Sequence, residues 1–333
     1  MLRTELCRQL GIDYPIFSAG MGPAAGPELA AAVSNAGACG VLGGAGLSAP
    51  YLRRQIQRLR TLTARPFGVN LILAVSEKGQ IETCLDESVP FLILFWGDAR
   101  PYIAEARHRA TRVLLQIGSV DEAVAAAEAG VDAIIAQGVE SGGHVKGTTA
   151  LSALVPAVVE AVRPVPVIAA GGIANGRGVA AALSFGAQAV SMGTRFLASE
   201  EAFVPVGYKE RIANSTAKDT IYTQLFDIGW PAAPHRVLRN KAVAEWEAAG
   251  CPPSGQRPGE NTVIGTLQRG SKVIELPRYW ALCATADFSG DLEYAALHAG
   301  QSCSLVNDVK PAAQIVQDTM DEAYRVVAQL SET

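Results

Sequence analysis

Asp132-Ala-Ile-Ile-Ala-Gln-Gly-Val-Glu-Ser-Gly-Gly-His-Val-Lys-Gly147 decides how the rest of the chain is read. It begins with Ala133-Ile134-Ile135-Ala136, an apolar run without polar alternation, the pattern of a strand buried on both faces. Gln137 and Gly138 end the run. Gly142, Gly143 and Gly147 follow, with His144 set among them. Glycine removes the Cβ that would hold a flat ligand away from the backbone. A histidine in such a loop can take or give a proton near neutral pH. A strand end, a glycine platform and a titratable ring together describe a cofactor face with a base beside it.

The same unit recurs in both directions. Tyr14–Ser18, Cys39–Leu42, Pro66–Leu73, Phe91–Trp96 and Arg112–Ile117 read as strands before it, and Pro166–Ala170 and Ala189–Met192 as strands after it. Helical segments alternate with them: Glu28–Asn35, a stripe at Leu52, Ile56, Leu59 and Leu62, the weakly patterned Ser76–Ser88, Pro101–Ala110, Leu154–Val162 and Val179–Phe185. Ser119-Val-Asp-Glu122 matches a capping box opening a helix that Gly130 ends. Eight such alternations predict an α/β fold of the (β/α)8 TIM barrel type. A doubly wound open sheet would carry G-x-G-x-x-G after its first strand, and this chain does not.

The residues before Tyr14 read as a polar lead-in, and beyond Phe196 the alternation stops. Glu200–Gly300 reads as an inserted, mainly helical cap, with Gly250-Cys-Pro-Pro-Ser-Gly-Gln-Arg-Pro-Gly259 as loop. Pro311–Leu330, apolar at Ile315, Val316, Met320, Ala323 and Val327, reads as the eighth outer helix. The expected division is therefore a barrel over 1–199, a cap over 200–300, and a return to the barrel over 301–333.

Composition narrows the classes. The 333 residues are 49% hydrophobic and 18% charged, with 28 Lys and Arg against 32 Asp and Glu, a net −4. The basic residues are scattered, so no nucleic-acid footprint is expected. The longest strongly apolar run, Phe91–Trp96, is far short of the roughly 20 residues of a membrane span, and the N-terminus lacks a secretory pattern. Cys7, Cys39, Cys84, Cys251, Cys283 and Cys303 lie at wide, irregular spacings. That favours neither zinc nor a disulfide framework, and predicts a reduced, cytoplasmic protein without a metal.

In a barrel the strand ends converge on one face. Here they are Ala19, Gly20, Met21, Asn70, Gln116, Gln137, Gly142, Gly143, His144, Ala170, Gly171, Gly172, Gly193 and Thr194. The last four, after strands seven and eight, sit where barrels bind phosphate through backbone N–H groups. Ala19–Met21 suit the face of a planar ring, and Asn70 and Gln137 its polar edge. His144 is the candidate base. Glu140 reads as a loop anchor, Arg195 as structural and His108 as surface; His235, His298 and Gln301 are left open.

These residues carry a resemblance. Tyr14-Pro-Ile-Phe-Ser-Ala-Gly-Met21, Arg65-Pro-Phe-Gly-Val-Asn70, Gln137-Gly-Val-Glu-Ser-Gly-Gly-His144, Ile168-Ala-Ala-Gly-Gly-Ile173 and Met192-Gly-Thr-Arg-Phe196 resemble the nitronate monooxygenases, formerly 2-nitropropane dioxygenases. Trp230-Pro-Ala-Ala-Pro-His-Arg-Val-Leu-Arg-Asn240 and Ala299-Gly-Gln-Ser302 resemble bacterial members, and Ser18-Ala19 departs from the Gln-Gly that relatives commonly carry. The resemblance implies non-covalent FMN, its phosphate at Gly171, Gly172, Gly193 and Thr194, its ring near Ala19–Met21, Asn70, Gln137 and Gly142, and His144 as catalytic base. It implies oxidation of a small nitronate or nitroalkane by O2 to a carbonyl compound and nitrite. FMN-dependent enoyl-acyl-carrier-protein reductases share nearly the same barrel and the glycine-glycine-histidine loop, so an NAD(P)H-dependent reductase of enoyl thioesters or quinones stays open as the alternative. A homodimer is compatible with the sequence, which does not fix the oligomeric state or the physiological substrate.

Overall fold

A computed structural model describes residues 2–269 and 272–332. Its first six strands are β1 (Ile16–Ser18), β2 (Gly40–Gly43), β3 (Phe67–Ile72), β4 (Phe91–Phe95), β5 (Arg112–Ile117) and β6 (Ala133–Gln137). The two-residue β7 (Gly143–His144), β8 (Val167–Ala170) and β9 (Ala189–Met192) follow. All but β7 form one eight-stranded parallel sheet in the order β1-β9-β8-β6-β5-β4-β3-β2. A parallel bridge between Phe17 and Cys39 brings β1 back to β2, with Cys39 N donating to Ile16 O at 2.8 Å. Ser18 Oγ, fully buried, accepts from Val41 N at 2.9 Å across the same seam. The open-sheet alternative is thereby excluded.

The apolar runs do not alternate because both faces of every strand are covered. Phe17, Val41, Ile93, Leu114, Ile135 and Ile168 fill the barrel interior. Their neighbours Ile16, Leu42, Leu92, Leu94, Ile134 and Ala169 pack outward under the helices. The lead-in is more than polar chain. It folds as helix α1 (Glu5–Leu10), capped by Thr4 Oγ, and closes the lower end of the barrel with Leu6, Cys7 and Leu10. Three buried side chains spaced over six residues are too short a pattern to register as an amphipathic stripe.

The outer helices are α2 (Pro27–Asn35), α3 (Ala49–Leu62), α4 (Lys78–Asp86), α5 (Arg100–His108), α6 (Val120–Ala129), α7 (Leu151–Ala161) and α8 (Gly176–Ser184). At α6, Ser119 Oγ accepts from Glu122 N as the capping box requires, but the Glu122 carboxylate accepts from Gly118 N. After the short α9 (Thr194–Leu197), the insertion carries α10 (Val206–Ala213), β10 (Thr220–Thr223), β11 (His235–Leu238), α11 (Lys241–Ala248), β12 (Val263–Arg269), β13 (Lys272–Pro277) and β14 (Phe288–Gly290). The expected mainly helical cap is thus corrected: it has more strand than helix. Its strands make two three-stranded sheets, β10-β11-β7 and β13-β12-β14. The first borrows β7 from the barrel's sixth loop, a pairing partner that local sequence cannot reveal. Last, α12 (Ala312–Ser331) packs between α8 and α2 as the eighth outer helix. Among the described residues no helix is long and apolar enough to cross a membrane.

Candidate active site

The strand ends surround one cleft with about 1110 Å3 of empty space. All fourteen residues picked from the strand ends line it: Ala19, Gly20, Met21, Asn70, Gln116, Gln137, Gly142, Gly143, His144, Ala170, Gly171, Gly172, Gly193 and Thr194. Ala19 is fixed by its N–H to Met192 O at 2.9 Å, and Gly20 lies so close to Asn70 that a Cβ would collide with the amide side chain. Asn70 is buried and donates from Nδ2 to Ile93 O at 3.2 Å.

Gln137 ends β6 and donates from Nε2 to His144 O at 3.0 Å, while its Oε1 is buried without a partner. An unpaired buried acceptor is costly unless a ligand or water completes it, and Gln137 Oε1 is free to accept. The glycines of this loop divide their duties. A Cβ on Gly142 would strike the backbone of Ala299 and Gly300, so its smallness serves the meeting of loop and returning chain. Gly143, at φ +73°, has open space where a Cβ would stand. Gly171 and Gly172, also at positive φ, make the turn after β8. Thr194 is buried, and its Oγ accepts from Gly300 N at 2.9 Å, leaving its own hydroxyl proton to donate.

His144 is held from outside the barrel. Its backbone pairs with His235 of β11, and Val145 N donates to Pro234 O at 2.9 Å. Its ring stacks on Trp230 at 4.1 Å between centroids, with His235 at 5.4 Å and His298 at 5.5 Å. The residue is half-buried, but Nε2 itself is shut off from solvent and unpartnered. Burial, then the nearby rings of His298 and His235, hold its pKa well below the ordinary imidazole value, so it is neutral at pH 7.

The other two rings are neutral as well. His235, fully buried, donates from Nδ1 to Ala233 O at 2.9 Å and accepts at Nε2 from Phe226 N at 3.2 Å, and burial lowers its pKa to about 4. His298 donates from Nε2 to Ala281 O at 3.0 Å and is likewise lowered to about 4 by burial and then by His235. The expected supporting roles also stand in the geometry. Glu140 accepts from Leu151 N with both oxygens at 3.0 Å, tying the loop to the start of α7. Arg195 is buried against Asp308 at 2.7 Å, and His108 is exposed on α5.

Sequence reasoning missed two rings. Trp96, at φ +59°, turns out of β4 to meet Trp230 edge-on at 5.0 Å and His144 at 6.5 Å. Such a φ is strained for a bulky residue. The sequence signal was only an aromatic at a strand end. Tyr208, Ser141 and Ser302 also line the cleft; Tyr208 donates from Oη to His298 O at 2.6 Å. Among the described residues no cluster of three His, Cys, Asp or Glu is placed to hold a metal ion.

The fold and this cleft have counterparts in known proteins. The profile of the nitronate monooxygenase family matches residues 3–81 and 73–322. A nitronate monooxygenase of Paraburkholderia phytofirmans is 30% identical, over 96% of this chain and 95% of its own. The (3aS,4S,5R,7aS)-5-hydroxy-7a-methyl-1-oxo-octahydro-1H-indene-4-carboxyl-CoA dehydrogenase of Rhodococcus jostii is 38% identical, over 75% of this chain and 69% of its own. The structure of FabK from Thermotoga maritima matches with a TM-score of 0.82 at 36% identity, over 100% of this chain and 99% of that one. These define a TIM-barrel oxidoreductase of small molecules. The chain belongs to the nitronate monooxygenase family.

Proposed function

We propose that the protein binds FMN and oxidises small nitroalkanes or their nitronates with O2, using His144 as base. The observation that carries this reading is the His144 ring, neutral and bordering the cleft, with no hydrogen-bond partner on its Nε2. A base must be unprotonated and free to reach the C–H it attacks.

The cleft suits FMN. Gln137 Oε1 lacks a donor, Gly143 leaves open space for a flat ring, and the turns at Gly171–Gly172 and Gly193–Thr194 would receive the phosphate where barrels do so. Ala19, Gly20, Met21, Asn70, Gln116, Gly142 and Ala170 would complete the ring's surroundings. Bound FMN would carry electrons from the substrate to dioxygen, so that two nitroalkane molecules and one O2 become two carbonyl compounds and two molecules of nitrous acid. The chain's own part is to hold the substrate carbon at the His144 imidazole, remove its proton and exclude water. Trp230, stacked on the ring, orients the imidazole and steadies its protonated form. On this reading residues 1–199 bind the cofactor, 200–300 shape the substrate space, and 301–333 return to the barrel. The six free cysteines support a reducing, cytoplasmic compartment.

A second reading is favoured by one observation: the identities to the CoA dehydrogenase and to FabK, 38% and 36%, exceed the 30% to the nitronate monooxygenase. It is an NAD(P)H-dependent reductase of enoyl thioesters or quinones. Steady-state assays in air separate the two. Nitroethane should yield one nitrite for each carbonyl product. Absence of nitrite, with NADPH oxidised only when an enoyl thioester or quinone is added, replaces the first reading by the second.

A further inference from the structure

We propose that Trp96 sets the length of substrate that the cleft accepts, closing it to all but short alkyl chains. This rests on the nitro-compound reading above and names the side chain that restricts substrate size.

The wall beside His144 has two layers. Ile72 at the end of β3, Phe95 at the end of β4 and Ala281 of the insertion line the cleft itself. Ile72 and Trp96 pack on Trp230, Ala233 and Ala281, an apolar cluster separate from the barrel core. Trp96 joins the two layers: its ring meets Phe95 edge-on at 5.1 Å, Trp230 at 5.0 Å and His144 at 6.5 Å. Trp230 is buried, whereas Trp96 is half-buried. Trp96 thus has the cleft wall on one side and water on the other. Toward α10 the lining is Leu197 and Tyr208, both buried, with Tyr208 Oη committed to His298 O at 2.6 Å. That end is core, and the end at Trp96 is a plug.

The backbone holds the plug in place. At φ +59° Trp96 sits in a left-handed turn that is costly for an indole and free for glycine. A Cβ on Gly97 would strike the Leu73 side chain, so the loop after β4 lies tight against the one after β3. A substrate whose reacting carbon is at the His144 imidazole can lay its alkyl chain on Ile72, Phe95 and Ala281. Each methylene placed there gains burial, and the first that must pass the indole meets close-packed atoms instead.

The test is the chain-length profile of the holoprotein and of Trp96→Gly, a substitution that the left-handed backbone favours. In the wild-type protein kcat/KM should fall by about tenfold or more from nitroethane to 1-nitrohexane. In Trp96→Gly the ratio of 1-nitrohexane to nitroethane should rise by at least about tenfold, because the longer chain enters the space the indole filled. Trp96→Leu, which shortens the side chain but keeps the wall apolar, should move the ratio the same way by a smaller factor. A purely structural Trp96 would lower both activities alike and leave the ratio in place. An unchanged ratio in the variants, or a wild-type protein that uses both substrates equally well, overturns the proposal. Binding of acetamide and hexanamide, read from the perturbed flavin spectrum, should show the same preference and the same change. If neither nitro compound is turned over while the amides behave in this way, the nitro-compound reading falls and the length limit at Trp96 stands.

Discussion

At the scale of single residues, the proposed chemistry rests on His144 and on the Trp230 ring that covers it. Removing the base while keeping its shape and polarity, as in His144→Asn, should lower kcat/KM for nitroethane by about 100- to 10,000-fold, with the flavin still bound. Loss of flavin instead would make the ring a cofactor ligand. In the proposed reaction Trp230 would act through His144, since its face, stacked on the ring, would favour the imidazolium. Trp230→Leu should therefore cost about 1–2 kcal/mol of transition-state stabilisation, roughly 5- to 30-fold in kcat/KM. A pH–rate profile checks this: the limb assigned to His144 should move to lower pH, whereas a merely structural Trp230 would leave it in place. His144 was legible in the sequence because a histidine among glycines after a buried strand has few other uses. Trp96 and Trp230 were not, because the first reaches the site through a left-handed turn and the second through a loop folded over from the insertion.

At the scale of elements, the sixth loop is clamped at three points: Glu140 on α7, β7 on β11, and Gly142 against Ala299–Gly300. Gly142→Ala forces a Cβ into that backbone and should destabilise the protein by about 1–3 kcal/mol, seen as a lower midpoint in thermal unfolding together with weakened flavin retention. An unchanged midpoint would mean that the returning chain is free to move aside. Such clamps explain which parts of the architecture could be read in advance. The eight barrel strands were visible because each is apolar on both faces and bounded by glycine or a helix signal. The strands of the insertion were not, since β11 finds its partner in a two-residue strand about ninety residues earlier. Likewise α1 hides its role, because Leu6, Cys7 and Leu10 gain meaning only under a barrel that the rest of the chain must close.

At the scale of the whole molecule, the neutral histidine cluster ties folding to pH. His235 and His298 have folded pKa values of about 4 against an ordinary 6.5, so below 6.5 the unfolded chain binds more protons than the folded one. Stability is then fully present above pH 6.5 and is lost as pH falls towards 4. At pH 5 the loss should approach about 2 kcal/mol for each ring, measured by urea unfolding at pH 7 and pH 5, and His235→Asn should reduce the difference. The same cluster, with the uncharged lining of the cleft, gives the barrel mouth its chemical character, and the proposed function sets the neutral His144 ring against a bound flavin there. Anaerobic mixing of the flavoprotein with nitroethane tests that claim most directly. The account predicts that the flavin absorbance bleaches with the wild-type chain and at least about 100-fold more slowly with His144→Asn. A flavin that stays oxidised with nitroethane yet bleaches with NADPH would contradict it.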